Sequence, residues 1–488
     1  MNHYTGKVAL VIAKRRYGTS NINLYTDEST EALILLGYDE TLIPNRNKKD
    51  VVLGYETFIK HPNTIHNEAI IFSHYQAQLK DLLRKEYEDR ITQTSPAKDL
   101  VLIHSLEGVQ LSRPEASQSF NLTKIKSIKK CIKSYSSRLW QSHSNLRIIS
   151  ADSEKIKNGK SIKKQCIVFY CMSKGYIPLG EKHFPKYLQV NKHVFETDVR
   201  EGYFVPGPKT KNLPTTSKMG YLDSFNKPLC MGSNIGEENK DETGTLGLFV
   251  NVSGNTKGFI TCCHVLFDCT QKEEFKYLSW YKDFKYSVLQ PGKSAFCGRP
   301  NKKCGEIEKA VFYPNKTPSV DAALVRITDR EPTSGHFAIR NKNQVKELGY
   351  KENDYPNYVQ GKVRRVIRET DLDLPVLKSG STTGLTRSNF KLDGAEVRIF
   401  NEGNILGMKD GSPIVMKGQY EIEPGSKQNP FFIPGDSGSA VFLREPDKSL
   451  VCIGIAIGTT TYDTTIVTPI GTVLDSLGLD DKSITHFE

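Results

Sequence analysis

The sequence predicts a multidomain chain in which an N-terminal α/β region is followed by an all-β domain of barrel type. Three observations predict it. At 488 residues the chain is too long for one core of ordinary size, so two or three domains are expected. Past residue 225, short apolar segments recur through Ile470 with turn residues between them, a barrel signature, and barrel closure removes exposed strand edges. Between the halves, Val205-Pro-Gly-Pro-Lys-Thr-Lys-Asn-Leu-Pro-Thr-Thr-Ser217 carries three prolines and little apolar content, the clearest linker in the chain.

Residues 1–120 read as an α/β module of unassigned role. Lys7-Val-Ala-Leu-Val-Ile-Ala13 is a buried strand whose apolar core is too short for a secretory signal, and Lys14, Arg15 and Arg16 follow it. Asn67 through Tyr87 places Ile71, Tyr75, Leu79, Leu82 and Leu83 at helical spacing behind Asn67 as the cap. Those side chains form a core face, and His66 and His74 are structural or surface histidines.

Residues 121–164 form a basic helix and linker segment. Twelve Lys and Arg stand there against Asp152 and Glu154, so +10 of the chain's formal +12 is local. Such a segment suits nucleic acid or an anionic surface, with Lys124-Ile-Lys-Ser-Ile-Lys-Lys130 as a nuclear-import address. A solvated basic helix is the plainer reading, since no nucleic-acid-binding module accompanies it. Residues 165–205 are a small β-rich unit opened by the buried-strand pattern Gln165-Cys-Ile-Val-Phe-Tyr-Cys171, and 206–225 are the Pro-rich linker. Residues 226–482 are the all-β domain. Its first hairpin pairs Gly244-Thr-Leu-Gly-Leu-Phe-Val-Asn-Val252 with Gly258-Phe-Ile-Thr261 around Ser253-Gly254-Asn255.

No apolar run approaches the length of a membrane span. With no signal peptide recognised, the ten cysteines are expected to be mostly free thiols in a reducing compartment, cytoplasmic or nuclear. The sequons at Asn121, Asn251 and Asn315 point the other way only weakly, because so short a motif arises by chance.

Chemistry concentrates in Phe431-Phe-Ile-Pro-Gly-Asp-Ser-Gly-Ser-Ala-Val-Phe-Leu443. Ser437 is the candidate nucleophile, and Gly435 and Gly438 allow a backbone bend that converges amide N–H groups on one point. A plain hairpin loop would use the same residue types. Upstream, Lys257-Gly-Phe-Ile-Thr-Cys-Cys-His-Val-Leu-Phe267 sets His264 at the end of a strand-like run. In Thr317-Pro-Ser-Val-Asp-Ala-Ala-Leu-Val-Arg-Ile327, Asp321 opens a second apolar run, though an ordinary strand start would look alike. His264, Asp321 and Ser437 follow one another at separations of 57 and 116 residues. Cys262, Cys263, His264 and Cys269 also raise zinc, but adjacent cysteines in a strand point to opposite faces and do not readily share one ion. No metal or cofactor is expected.

These segments, with Lys378-Ser-Gly-Ser-Thr-Thr-Gly-Leu-Thr386, resemble the trypsin-like, chymotrypsin-fold (PA clan) serine peptidases over roughly residues 228–480. The order His, Asp, Ser belongs to that type, and neither the subtilisin nor the α/β-hydrolase arrangement has it. The resemblance implies a double β-barrel with the triad in the cleft between the barrels, many members closing with a terminal helix, for which Val473-Leu-Asp-Ser-Leu477 is the candidate. It implies a serine endopeptidase acting on protein substrates through an acyl-enzyme. His264 would be general base, Asp321 would fix its tautomer, and the N–H groups of Gly435 and Ser437 would form the oxyanion hole. A catalytically silent peptidase fold used as scaffold, or a nucleic-acid-associated adaptor, are the alternatives.

The same resemblance puts Phe431, six residues before the nucleophile, at the base of the main specificity pocket, which argues against Lys or Arg as the preferred side chain. Gly454-Ile-Ala-Ile-Gly458 resembles the strand that pairs with substrate backbone, so Gly458 and the Ala456 carbonyl would flank the peptide. The Ser that the family usually carries near Ala456 is missing. Secreted members pair the Asp at position 436 with a newly freed α-amino group, yet no activation sequence of that kind occurs here. Asp436 therefore needs another partner, such as a backbone N–H or a Lys or Arg, or orders its loop only under some condition. Val265 stands where secreted members carry a bridging Cys, which favours an intracellular enzyme.

Overall fold

The computed structural model describes residues 122–143, 146–157, 160–171, 184–207, 224–253, 256–267, 286–293, 302–339, 345–346, 348–351, 355–399, 414–426 and 429–487. The strand expected at 7–13, the helix at 67–87, the 1–120 module and positions 208–223 of the linker lie outside the described residues. The chain forms two compact units, the first comprising Met1–Ser117, Cys131–Tyr203 and Phe400–Pro413, the second Gln118–Lys130, Phe204–Ile399 and Ile414–Glu488.

Helix α1 (Leu122–Ser142) begins in the second unit and continues into the first. Ile125, Ile128, Cys131, Ile132, Leu139 and Trp140 recur three or four positions apart and are buried, whereas Lys126, Lys129, Lys130, Lys133 and Arg138 are exposed. The basic charge that falls on this helix at Lys126, Lys129, Lys130, Lys133 and Arg138 is thus its outer face, and more of it lies on the two strands that follow. In the first unit β1 (Leu146–Lys157) and β2 (Lys160–Cys171) form an antiparallel hairpin. β4 (His193–Glu201) runs parallel to β2 and antiparallel to β3 (Tyr187–Val190), so the order is β1-β2-β4-β3. Arg200 on β4 is buried and spans two strands, 2.6 Å from Asp152 and 2.9 Å from Asp198. The boundary expected at 164/165 falls inside β2: lysines on its exposed first half look like linker, but the ladder continues straight into the buried Cys166–Tyr170 stretch.

The second unit is mostly β, as the sequence predicts. One antiparallel sheet joins β6 (Asn234–Glu237), β7 (Gly244–Thr245), β8 (Leu248–Ser253), β9 (Thr256–Thr261), β10 (Ser287–Leu289), β11 (Lys303–Tyr313) and β12 (Val320–Ile327) in the order β7-β6-β10-β11-β12-β9-β8. The other joins β13 (Val376–Gly380), β14 (Gly384–Ser388), β15 (Phe390–Arg398), β16 (Val415–Ile422), β17 (Ala440–Arg444), β18 (Leu450–Thr460) and β19 (Thr465–Pro469). Its order is β14-β13-β17-β18-β19-β16-β15, with the short β5 (Phe204–Pro206) added on β18. Two antiparallel sheets therefore stand where the sequence predicts two barrels, and among the described strands each ladder is an open path.

Phe431, Phe432, Val441, Ile453, Ile422 and Val467 share one apolar core under the second sheet. A short helix, α2 (Cys263–Leu266), follows β9, and α3 (Ile470–Leu477) follows β19. α3 turns Ile470, Val473, Leu474 and Leu477 inward and ends at Gly478, whose φ of 72° suits a residue without Cβ. It begins three residues before the Val473 expected from sequence, directly at the end of the strand.

Candidate active site

β9 ends at Thr261, and α2 then turns the chain so that His264 faces β12. Asp321, near the start of β12 and paired in the ladder with Phe312, is buried and accepts from the His264 backbone N–H at 3.1 Å. Its other oxygen meets His264 Nδ1 in a short hydrogen bond. With the carboxylate on Nδ1, a neutral ring leaves Nε2 as the acceptor, and Nε2 is buried with no hydrogen-bond partner among the described residues.

Cys262 Sγ, the His264 ring and the Asp321 carboxylate also lie within 4.8 Å of one another, a three-residue set of metal-ligand types. Their atoms already have uses. Cys262 Sγ points at the Ala456 carbonyl at 3.3 Å, and both Asp321 oxygens are taken by His264. Cys263 is buried and is not one of the set; it opens α2 with Cys262 as the preceding cap, so the pair does not lie in the strand expected from sequence.

The nucleophile loop lies between the core pair Phe431–Phe432 and β17. Gly435 and Gly438 adopt φ of 105° and 91°, which L side chains rarely tolerate, and both were singled out as bends. A Cβ on Gly438 would come to 2.5 Å from the Thr245 carbonyl, so glycine is needed there for space as well. Thr245, on β7 of the first sheet, holds this loop of the second: its N–H donates to the Ser437 carbonyl at 2.8 Å and its Oγ1 to the Gly435 carbonyl at 2.9 Å. Ser381 Oγ donates to the same Gly435 carbonyl at 2.7 Å. The Gly435 N–H shares its peptide plane with the Pro434 carbonyl, which accepts from Thr382 Oγ1 at 3.0 Å, and it meets the Gly207 carbonyl at 2.5 Å. Ser437 Oγ donates to the Ile457 carbonyl at 3.2 Å.

The histidine segment and this loop converge. The Ala456 carbonyl accepts from Cys262 Sγ and from the Gly438 N–H at 2.9 Å, and a Cβ on Gly244 would touch both Val265 and the Ser437 carbonyl. Cys262 and Val265, which flank the His264 segment, thus share the neighbours Ala456 and Gly244 with Gly438 and Ser437.

Asp436, beside the nucleophile, has a partner inside the fold. Lys378 Nζ lies 2.8 Å from its Oδ2, and both side chains are fully buried. Thr383 Oγ1 at 2.7 Å and the N–H groups of Thr382 at 2.8 Å, Thr383 at 3.1 Å and Ile433 at 3.2 Å complete the carboxylate's shell. Burial pulls the Lys378 pKa below its ordinary value and the Asp436 charge opposes that pull. The Lys-x-Gly-x-Thr-Thr-Gly segment, noticed only for its resemblance, thus supplies a cation, a hydroxyl and two amides. A Cβ on Gly380 would overlap Asp436, so glycine makes room for the carboxylate.

The remaining candidates differ in place. Phe431 is wholly buried in the core, its carbonyl accepting from Thr386 Oγ1 at 3.0 Å and its ring centred 5.5 Å from Lys378 Nζ. Its neighbour Phe432, not singled out from sequence, is the aromatic residue next to Gly207 and Ser437. On β18, Gly458 pairs with Pro206 of β5. Ala456 turns its carbonyl back to Gly438, so the register along this strand places Gly458 to Thr460 against a neighbouring backbone and keeps Ala456 for the nucleophile loop.

Among the described residues, the eight cysteines form no disulfide with one another. Burial raises the thiol pKa to about 11 at Cys131 and about 12 at Cys166, Cys304 and Cys452. No helix among the described residues is long and apolar enough to cross a membrane.

No family model matches the sequence, and no curated protein does. Among solved structures, a glutamic acid-specific serine protease that uses a histidine triad in substrate binding is 18% identical. The match covers 51% of this chain and 98% of that one, with a TM-score of 0.30. Protease A of Thermobifida fusca is 16% identical over 52% of this chain and 96% of its own, TM-score 0.28. A Cellulomonas bogoriensis chymotrypsin is 16% identical over the same shares, TM-score 0.29. The chain is similar to these serine proteases at the level of fold, over about half its length.

Proposed function

We propose that the chain is a serine endopeptidase of the chymotrypsin type that acts on protein substrates inside the cell. The observation that carries this reading is the Asp321–His264 couple packed against a glycine-bent loop holding Ser437, with the Gly435 N–H already turned on a carbonyl oxygen. In the reaction Ser437 Oγ leaves the Ile457 carbonyl, gives its proton to His264 Nε2 and bonds to the substrate carbonyl carbon. The Gly435 and Ser437 N–H groups take the oxyanion, each worth roughly 10²–10³ in rate. His264 then returns the proton to the departing amine, and water repeats the sequence on the acyl-enzyme. Asp321 stays ionised, orients the ring and stabilises the imidazolium. Eight described thiols that form no disulfide with one another support a reducing compartment.

A scaffold that keeps the fold without turnover is the second reading, favoured by the Ser437 hydroxyl resting on Ile457 and not on His264. A fluorophosphonate probe separates the two. Labelling of the unaltered chain and not of Ser437→Ala supports the peptidase; equal labelling of both, or of neither the folded unaltered chain nor its folded Gly207→Ala variant, removes it.

A further inference from the structure

The cleft already holds a peptide, and it belongs to the chain itself. β5 pairs antiparallel with β18 in the register Pro206 to Gly458, Val205 to Thr459 and Phe204 to Thr460. This is how an extended substrate adds a strand to a sheet edge. Gly207 then places its carbonyl on the Gly435 N–H at 2.5 Å, the amide assigned above to the oxyanion. A Cβ on Gly207 would overlap Ser437 Oγ and come to 2.7 Å and 3.0 Å from Phe432 Cζ and Cε1. Phe204, three residues upstream, is buried, and a Cβ on Gly458 would come to 2.5 Å from its ring and from the Val205 carbonyl.

We infer that residues 204–207 are an internal occupant of the substrate strand, and that the site selects glycine as the acyl residue because Phe432 closes the space a side chain would need. Gly458 is the matching vacancy on the enzyme side, admitting an aromatic residue three positions before the glycine. The inference rests on the peptidase reading of the site. Three features separate this occupant from a chance contact: the strand register, the carbonyl on the Gly435 N–H, and the missing Cβ at both Gly207 and Gly458. In sequence the next residue is Pro208, so the bond after Gly207 has a ring nitrogen with no hydrogen. The Pro208 ring restricts the backbone around that bond, which suits an occupant that blocks the cleft and is not consumed.

The test uses the full chain. Phe204→Asp places a charge in an apolar slot and Gly207→Ala adds the colliding carbon; either expels the occupant. Binding of a fluorescent Phe-Val-Pro-Gly peptide with a free carboxylate is followed by anisotropy. Both variants should bind it on the order of tenfold tighter than the unaltered chain, because the competing segment is gone. Phe-Val-Pro-Ala should bind on the order of tenfold more weakly than the glycine peptide. Equal binding by variants and unaltered chain, or equal binding of the two peptides, overturns the inference. Should Phe204→Asp fail to fold, Gly207→Ala decides alone. Fluorophosphonate labelling of Gly207→Ala is read separately: peptide binding without labelling at Ser437 sinks the hydrolase reading and leaves the occupant standing.

Discussion

Lys378 Nζ lies 2.8 Å from Asp436 Oδ2 with both groups sealed from solvent, so the carboxylate next to the nucleophile is neutralised by a side chain of the same domain. In secreted members of the family that the sequence resembles, a chain terminus made by cleavage does this work. Here a strand residue, Lys378, lies against the carboxylate. Removing one member leaves an uncompensated buried charge, which costs about 3–5 kcal/mol. Lys378→Met should therefore lower unfolding stability by that order in denaturant titrations. The double variant Lys378→Met, Asp436→Asn should recover part of it; equal loss in single and double variants would show that the pair is not coupled.

In the proposed reaction Asp321 acts on His264 through the ring position and the charge it supplies. Asp321→Asn keeps the shape and changes the tautomer, so kcat should fall by roughly 10⁴ with little change in melting temperature. Steady-state kinetics on a peptide substrate measure the first and calorimetry the second. A loss below tenfold would remove the couple from the chemistry.

Thr245→Val keeps the volume and deletes a hydroxyl that donates to the Gly435 carbonyl and accepts from the Ser381 N–H at 2.9 Å. An orphaned buried amide costs about 1–3 kcal/mol. Because the loop carrying Ser437 loses one of the hydrogen bonds that tie it to the first sheet, kcat should fall while KM stays near its original value. An unaltered kcat would mean that Ser381 Oγ alone holds the loop.

His143 is buried against Phe184, 4.5 Å between ring centroids, and burial lowers its pKa from 6.5 to about 4. The unfolded chain then binds more protons between those values, so stability is fully present above pH 6.5 and is lost progressively as pH falls toward 4. The loss is on the order of 3 kcal/mol. Melting curves of the chain and of His143→Phe between pH 7 and 4 should diverge as acid is added, the variant losing less.

The candidate site was legible where local chemistry announces itself. Gly435 and Gly438 stand out because a tight bend needs them, and the segment holding α1 stood out by its charge, as a basic helix and linker. The β domain showed through its short apolar runs. Other features depend on distances no local pattern carries. Lys378 and Asp436 are 58 residues apart, and nothing in Lys378-Ser-Gly says its amine will be buried. Phe431 and Phe432 are equivalent by composition; which of them meets Gly207 depends on a strand register set more than 200 positions upstream. The first half of β2 read as linker because its lysines face solvent, although the backbone ladder is indifferent to them.

Thr245 has one further implication. It sits on one sheet, and its hydrogen bonds end on the loop carried by the other. A polypeptide divided between the two sheets would give one fragment with the imidazole and one with the hydroxyl, and neither would hold a formed loop. Fragment complementation should accordingly behave as all or nothing, with function returning only as fast as the halves associate.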